Sequence, residues 1–432
     1  MRVLLIGSGG REHALAWAIS SSDKCQALYC APGNAGIESC AELIDIKAED
    51  VDGITDFAKN NQIDLVICGP EAPLVLGLAD KIKALGIPVF GPNQAAAQLE
   101  GSKGFMKDLC AKYGVPTAAY GRFTDFESAK KFIEEQPHKV VVKTDGLAAG
   151  KGVIMCDTKE DAIEAARGML EGASFGDAGS EVVIEEFLDG EELSYFALAD
   201  GKGILPLTSA QDHKRAFDND EGPNTGGMGA YSPAHLMTPE IEAKIIKNII
   251  EPTVKGMNAD GIPFTGVLFA GIMVVNGEPK LIEYNIRFGD PECQPIMMRL
   301  QSDLLEILYA AAKGELANIQ DKVSWSDETT LCVVMAANGY PGSYEKNTVI
   351  NGLGNAAQTD GVNIFHAGTA KAENGDILSV GGRVLGITAK GHSVQQAQER
   401  AYAAIDKIEW NEGFCRRDIG WRAIKAEKEE AA

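Results

Sequence analysis

The chain has 432 residues, 45% of them hydrophobic and 24% charged, which excludes a disordered or low-complexity protein and marks a folded globular one. At roughly 150 residues per domain, that length predicts about three domains. A formal net charge of -22 excludes a nucleic-acid surface built from clustered Lys and Arg, but leaves a single nucleotide open as a ligand, since a few well-placed cations hold one. No apolar run reaches the ~18 residues that span a membrane. The first residues, MRVLLIGSGGREH, meet acid and base at once with no small-residue cleavage site, so they read as a strand entering a helix and not as a signal peptide. The nine cysteines are odd in number and lack C-x-x-C pairing, and read as small apolar residues or surface thiols of a reducing compartment. A cytoplasmic location is expected, with neither a nucleic-acid nor a membrane partner.

In chain order, the first hundred residues alternate short apolar runs with helical stretches. Residues 3–6 lead through a glycine turn into a helix from Glu12; residues 65–68 lead into GPEAP and a helix over about 76–85; residues 87–90 follow. That rhythm predicts βαβ units on a parallel sheet. Ligands in such sheets sit beyond the carboxyl ends of the strands, where Gly7-Ser8-Gly9-Gly10, Gly69-Pro70-Glu71 and Gly91-Pro92-Asn93 fall. A helix is predicted from Lys103 to about Gly121, then a compact α+β segment with strands at 140–143, 152–156 and 181–188 and a helix at 159–170. A larger region from about 193 to 325 holds strands such as FAGIMVV and KLIEYNI and a long helix near 241–256. The last hundred residues, with GGRVLGITAKG and a helix over about 393–408, read as a small β-rich unit ending in a frayed, charged tail.

Five segments carry polar or glycine patterns that a core does not need. GSGGRE has Glu12 where a dinucleotide fingerprint has its third glycine, so an NAD reading is weak. Its backbone N–H groups at a helix N-terminus, with Arg11 beside them, suit a sugar phosphate; a tight turn without a ligand accounts for it too. In KTDGLAAGKGV, Gly146, Gly150 and Gly152 permit a loop that closes over phosphates, with Lys143 and Lys151 supplying charge. It is not a Walker A loop, because its spacing is one residue short and Gly152 stands where Ser or Thr should be. A solvated glycine hairpin explains it equally well. In VIEEFLDGEELS an apolar strand runs into acids, which are costly to bury unpaired. Backbone groups near Glu186 and Leu188 suit an adenine rim, Phe187 packs nearby and Glu192 suits a ribose hydroxyl, or the strand simply ends in a surface loop. In EYNIRFGDPE, Glu283 and Asn285 point to one face of a strand. Both are hard oxygen donors for magnesium, with Arg287 and Asp290 placed for a carboxylate and an amine; an ion-pair network is the alternative. Finally, the polar run 211–233 offers Asp212, Lys214, Gly226 and Gly227 for closing over a substrate; His213 is not taken as a base.

Together these segments resemble a known family. GSGGREHALAW, APGNAG, GPEAPLV, QLEGSK, KTDGLAAGKGV, GDAG, IEEFLDGEE, QDHKR, GPNTGGMGAYSP, IEYNIRFGDPE, FHAGT, GGRVL and CRRDIGWRAI stand in the order found in the phosphoribosylamine–glycine ligases of the ATP-grasp superfamily, from residue 1 to about 425. The resemblance implies an α/β and α+β multidomain chain: an N-terminal parallel βαβ domain (1–102), an ATP-grasp core of two α+β subdomains (103–325, with a mobile lid about 122–192) and a small β-rich C-terminal domain (326–432). It implies ATP as co-substrate and Mg2+ or Mn2+. Lys103, Lys143 and the loop 146–152 would face phosphates, Glu185, Glu186, Phe187 and Leu188 the adenine, Glu192 the ribose, and Glu283 and Asn285 the metal. Gly10, Arg11, Glu71, Asp290 and Arg383 would contact phosphoribosylamine, Arg287 the glycine carboxylate or acyl phosphate, and Lys143, Arg287 and Asp290 would be catalytic. The expected reaction is the joining of glycine to 5-phosphoribosylamine through glycyl phosphate, in purine biosynthesis. A monomer is expected, with transient contact to the enzyme that supplies the labile amine. A sister ligase or carboxylase acting on bicarbonate or formate is the alternative.

Overall fold

The computed structural model describes residues 1–146, 152–172 and 181–430. Leu4, Ile6, Val66 and Cys68 enter one apolar cluster, while Val3, Leu5, Leu65 and Ile67 enter another. Alternate residues of two neighbouring strands therefore feed cores on opposite faces, which is why these runs are apolar without alternation. The strands of this first sheet are β1 (Arg2–Gly7), β2 (Ala27–Pro32), β3 (Glu42–Leu43), β4 (Leu65–Cys68) and β5 (Val89–Phe90). They pair in parallel in the order β3-β2-β1-β4-β5. The order reverses between β1 and β4, so a crevice opens at their carboxyl ends. Glu12 packs into it: its carboxylate accepts from the Gly9 N–H at 2.6 Å, and a Cβ on Gly69 would lie 2.1 Å from its Oε1.

The next sheet is antiparallel and small. β6 (Tyr120–Phe123), β7 (Val140–Thr144), β8 (Val153–Cys156) and β9 (Val182–Glu186) pair in the order β6-β9-β7-β8. Val140, Val142, Val182 and Ile184 enter a core closed by the helices Phe126–Glu135 and Lys159–Leu170. The period of two then turns Lys143 and Glu185 to the opposite face. The preceding helix begins at Lys103 as expected but stops at Tyr113, short of the predicted end. Gly114 caps it in the left-handed region at φ +71, a conformation that ends a helix at little cost for glycine.

The remaining strands are β10 (Glu191–Asp200), β11 (Ile204–Asp212), β12 (Arg215–Phe217), β13 (Glu221–Asn224), β14 (Gly229–Ser232), β15 (Thr265–Val275), β16 (Glu278–Asn285), β17 (Thr329–Ala337), β18 (Thr348–Ile350), β19 (Val362–His366), β20 (Thr369–Lys371), β21 (Ile377–Ser379), β22 (Arg383–Gly391) and β23 (Gly413–Phe414). Nine of them form one sheet in the order β16-β15-β10-β11-β14-β17-β22-β19, with β23 also paired to β17. The last hundred residues have their own core around Val333, Ile387 and Ala401. Their main strands nonetheless extend the central sheet, because β17 bonds to β14. The long helical stretch expected near 241–256 runs from Pro239 to Ala259, with a π-helical turn at Ile246–Ile250. Among the described residues no helix is long and apolar enough to cross a membrane.

The polar run 211–233 is a hairpin of β12 and β13 held from behind, not a free loop. Fully buried Arg416 donates to Asp418 Oδ1 at 2.8 Å, Asp220 Oδ1 at 3.0 Å and the Arg215 carbonyl at 3.1 Å. Arg422 donates to Asp220 Oδ2 at 2.5 Å. His213 Nε2 accepts from the Gly420 N–H at 3.1 Å, and burial pushes its imidazole down to about 3, so it stays neutral and structural. Removing one partner from a buried ion pair leaves the other uncompensated. Arg416→Ala should therefore lower unfolding stability by about 3 kcal/mol or more, measured by denaturant titration; parental stability would show that the hairpin is held otherwise.

Candidate active site

Two walls face each other across the cleft between the small sheet and the large one. On the small-sheet wall, the Lys143 ammonium lies 2.9 Å from Glu185 Oε1, and Lys107 lies 2.9 Å from Glu185 Oε2. Lys103 sits in the first turn of its helix and donates to the Gly146 carbonyl at 3.2 Å. That helix start is docked by Asp145, which accepts from the Gly104 N–H at 2.6 Å and the Ser102 hydroxyl at 3.0 Å; a carboxylate at a helix N-terminus is favourable. Gly152 closes the base of the glycine loop by accepting from the Thr144 N–H at 2.9 Å. Gly150 and Lys151, and the GDAG motif, lie outside the described residues. Glu186 pairs with Lys280 at 3.3 Å. The N–H groups of Glu186 and Phe187 donate to the carbonyls of Ala119 and Lys139, and the Phe187 ring is partly exposed beside Leu188.

On the large-sheet wall, β16 presents Glu283 and Asn285 opposite Gly271 and Phe269 of β15. No carboxylate stands on the facing strand, as its sequence indicates. Burial raises the Glu283 carboxyl, but Lys214, Lys143, Lys103 and Arg287 outweigh it and hold the group below its ordinary value. An ionised carboxylate and an amide oxygen on one face suit a hard divalent cation that takes its other ligands from phosphate and water. Among the described residues no group of three or more His, Cys, Asp or Glu could hold a metal unaided. Next to it, Lys214 forms a short ion pair with Glu192. Asp212 is pushed up to about 6 by burial, against the pull of Lys214. Glu292, buried with its Oε1 3.4 Å from the Ser194 hydroxyl, is pushed up to about 7 by burial and then by Asp212.

The inner end of the cleft joins the first domain to the C-terminal strands. Arg287 bridges Glu71 at 3.3 Å and Glu100 at 3.2 Å, and Glu100 also accepts from the Ile286 N–H at 2.8 Å. Asp290 accepts from Gln294 at 3.0 Å and from the Arg11 N–H at 3.4 Å; although burial raises it, Arg383 and Arg11 hold it below its ordinary value. The Arg11 guanidinium is itself engaged, with Glu12 at 2.5 Å and the Phe288 carbonyl at 3.0 Å, so the glycine loop offers mainly its backbone at Gly10. Arg383 reaches the Asp290 carbonyl at 2.5 Å and the Gly226 carbonyl at 2.6 Å. Gly227 adopts φ +113, and a Cβ there would meet Pro291 Cδ at 2.5 Å, so this position requires glycine.

The structure thus gathers Lys103, Lys143, Glu192, Asp212, Lys214, Glu283, Asn285 and Arg287 about one cleft, with Gly10, Glu71, Asp290 and Arg383 at its end. The sequence reading missed Lys107, Asp145, Glu100 and Glu292. Glu100 and Asp145 lie inside motifs already singled out, QLEGSK and KTDG. Lys107 had no signal beyond its spacing, four residues after Lys103 on one helix face.

A small antiparallel sheet bearing lysines set against a larger sheet bearing oxygen donors is the arrangement of an ATP-grasp enzyme. Family models agree: the phosphoribosylglycinamide synthetase N domain matches residues 1–100, its ATP-grasp (A) domain 101–293 and its C domain 330–422. The chain belongs to the phosphoribosylglycinamide synthetase family. It is 58% identical to the phosphoribosylamine–glycine ligase of Brucella melitensis over 428 residues, 99% of each chain. To that of Vibrio cholerae it is 52% identical over 431 residues, covering 99% of this chain and 100% of the relative. The crystal structure of the Thermotoga maritima phosphoribosylamine–glycine ligase superposes with a TM-score of 0.85 at 31% identity, covering 97% of this chain and all of that one. A biotin carboxylase from Campylobacter jejuni, with a TM-score of 0.74 at 15% identity over 96% of this chain and 93% of its own, shares the fold alone.

Glu100 makes the site sensitive to pH in a stated direction. Burial, opposed by Arg287, raises its carboxyl from 4.5 to about 7. The folded chain then holds a proton that the unfolded chain releases, so stability from this group is complete below about 4.5 and is lost as pH rises through about 7. Glu100→Gln should therefore show a shallower fall in Tm than the parent between about pH 5 and about pH 8; equal slopes in thermal melts would show that Glu100 does not titrate there.

Proposed function

We propose that this chain joins glycine to 5-phosphoribosylamine with ATP, giving glycinamide ribonucleotide, ADP and phosphate, as a step of purine biosynthesis. The observation that carries the reading is the convergence of Lys103, Lys143, Lys214 and Arg287 on the half-buried Glu283, in a chain that matches ligases of that name along its whole length. Four cations about one carboxylate exceed what the fold needs, and suit a triphosphate and a substrate carboxylate.

In this reading Lys103 and Lys143 neutralise the ATP phosphates, and the loop 146–152, with Gly146, Gly150, Lys151 and Gly152, covers them. Glu186, Phe187 and Leu188 border the adenine. Because the N–H groups of Glu186 and Phe187 are already engaged, hydrogen bonding to the base falls to Leu188 and to backbone carbonyls. Glu192 takes the ribose, exchanging its contact with Lys214. Glu283 and Asn285 hold Mg2+ or Mn2+, which when bound supplies charge neutralisation at the transferred phosphoryl group.

Arg287, fixed in direction by Glu71 and Glu100, orients the glycine carboxylate for attack on the γ-phosphorus, and Lys143 stabilises the charge that spreads over the transferred group. Water would hydrolyse the resulting glycyl phosphate, so the closed lid excludes it. The phosphoribosylamine is bound by the Gly10 backbone, Arg383 and the Gly226–Gly227 turn. Ionised Asp290 then orients its amine toward the acyl carbon, from which phosphate leaves. Asp212 and Lys214 complete the wall facing the amine. The reading includes a monomeric, cytoplasmic chain divided at 1–102, 103–325 and 326–432, with 122–192 as the lid.

The test is phosphate release from ATP with glycine, with and without freshly generated phosphoribosylamine. Release is expected to require both, with glycinamide ribonucleotide formed in step; release driven by bicarbonate or formate instead would replace the substrates and keep the fold. Lys143→Ala and Glu283→Ala should stay folded by circular dichroism while turnover falls by about two orders of magnitude or more. Near-parental turnover in both would remove these residues from the site.

A further inference from the structure

Lys107 is completely buried, yet no step of the reaction above uses it. Its ammonium is held on three sides: Glu185 Oε2 at 2.9 Å, the Thr117 hydroxyl at 2.7 Å and the Tyr120 ring with its centroid at 5.6 Å. Thr117 in turn donates to the Leu281 carbonyl at 2.7 Å, which leaves its lone pairs toward the lysine. On the other side of the same carboxylate, Glu185 Oε1 meets Lys143 at 2.9 Å. One buried carboxylate thus bridges two ammonium groups from different elements, β7 and the helix Lys103–Tyr113. The register explains the pairing: Val141 stands opposite Glu185, and Lys143 lies two residues further along β7 on the same face.

The arrangement has an electrostatic consequence. A buried carboxylate with a single cation holds it tightly, because releasing the cation leaves an uncompensated charge. With two cations, either one is able to leave while the carboxylate stays neutralised. Lys107 is locked by Thr117 and Tyr120, so Lys143 is the one free to depart. We infer that Lys107 is a positioning residue, the fixed counter-ion of Glu185 that lets Lys143 exchange this carboxylate for the phosphates of ATP. The side chain of Glu185 then serves as a parking site for Lys143 rather than as a reader of adenine, in contrast to the role its place in the hinge motif implied. The inference rests on the proposed phosphate-binding role of Lys143.

Isothermal titration of the full chain with ATP and, separately, with AMP tests it. AMP lacks the phosphates that Lys143 would reach, so it reports the base and ribose site alone. Lys107→Met should weaken ATP about tenfold or more and leave AMP within about twofold of the parent. The double variant Lys107→Met, Glu185→Gln removes both buried charges and should bring ATP back to within about threefold of the parent. A loss confined to ATP is not expected of a residue that merely stabilises the fold. Parental ATP affinity in Lys107→Met, or a double variant as weak as the single one, overturns the inference. Should Lys107→Met fail to fold, the double variant decides: retained affinity for both ligands supports the inference. Weakened AMP binding would return the Glu185 side chain to the adenine and overturn it. The phosphate reading of Lys143 is checked apart from this, since it fails if Lys143→Ala binds ATP as tightly as the parent.

Discussion

A half-buried carboxylate that stays ionised organises this molecule. Burial raises the Glu283 carboxyl, and Lys214, Lys143, Lys103 and Arg287 together outweigh it and hold the group below its ordinary value. Each of these cations arrives on a different element: a hairpin base, a small-sheet strand, a helix start and the loop after β16. The field at Glu283 therefore exists only when the small sheet, the central sheet and the helix between them are in register. Conversely, four cations would repel one another without the carboxylates around them. Glu185 takes up the charge of Lys143, Glu192 that of Lys214, and Glu71 and Glu100 together that of Arg287, while Lys103 rests on the Gly146 carbonyl.

That balance explains how a chain with net charge -22 can accept a triphosphate. The global charge acts over distances at which salt screens it, whereas the cleft presents its cations within a few ångströms and away from bulk water. At other acids of the site burial wins. Asp212 is pushed up to about 6 and Glu292 to about 7, in both cases chiefly by burial, so they hold protons more firmly than surface carboxylates do.

The C-terminal region serves this cleft from behind. It extends the central sheet through β14 and β17, sends Arg383 to the Gly226 and Asp290 carbonyls, and fixes the β12–β13 hairpin through Arg416 and Arg422. The polar run read as a loop that closes over substrate is therefore a pinned hairpin, and Lys214 at its base is held in place by β-sheet geometry and by the neutral His213 beside it. The small sheet has a core of its own.

Much of this was legible in the residues. The parallel first sheet follows from apolar runs buried on both faces, and the facing of Glu283 and Asn285 follows from the period of two along a strand. The order of the motifs carried the family. Glu100, Asp145 and Lys107 were not legible, because their chemistry depends on partners far along the chain: Arg287 for Glu100, the helix start at Ser102–Gly104 for Asp145, and Glu185 for Lys107. The sequence by itself determined which residues have the chemistry to hold a nucleotide, and which strands and helices present them, since propensity and periodicity are local properties of the chain. Only the tertiary structure decided which carboxylate pairs with which cation, and so that Arg11 is engaged, His213 neutral and Glu185 shared between Lys143 and Lys107. Those outcomes depend on burial and on distances of a few ångströms between segments that the chain places scores or hundreds of residues apart.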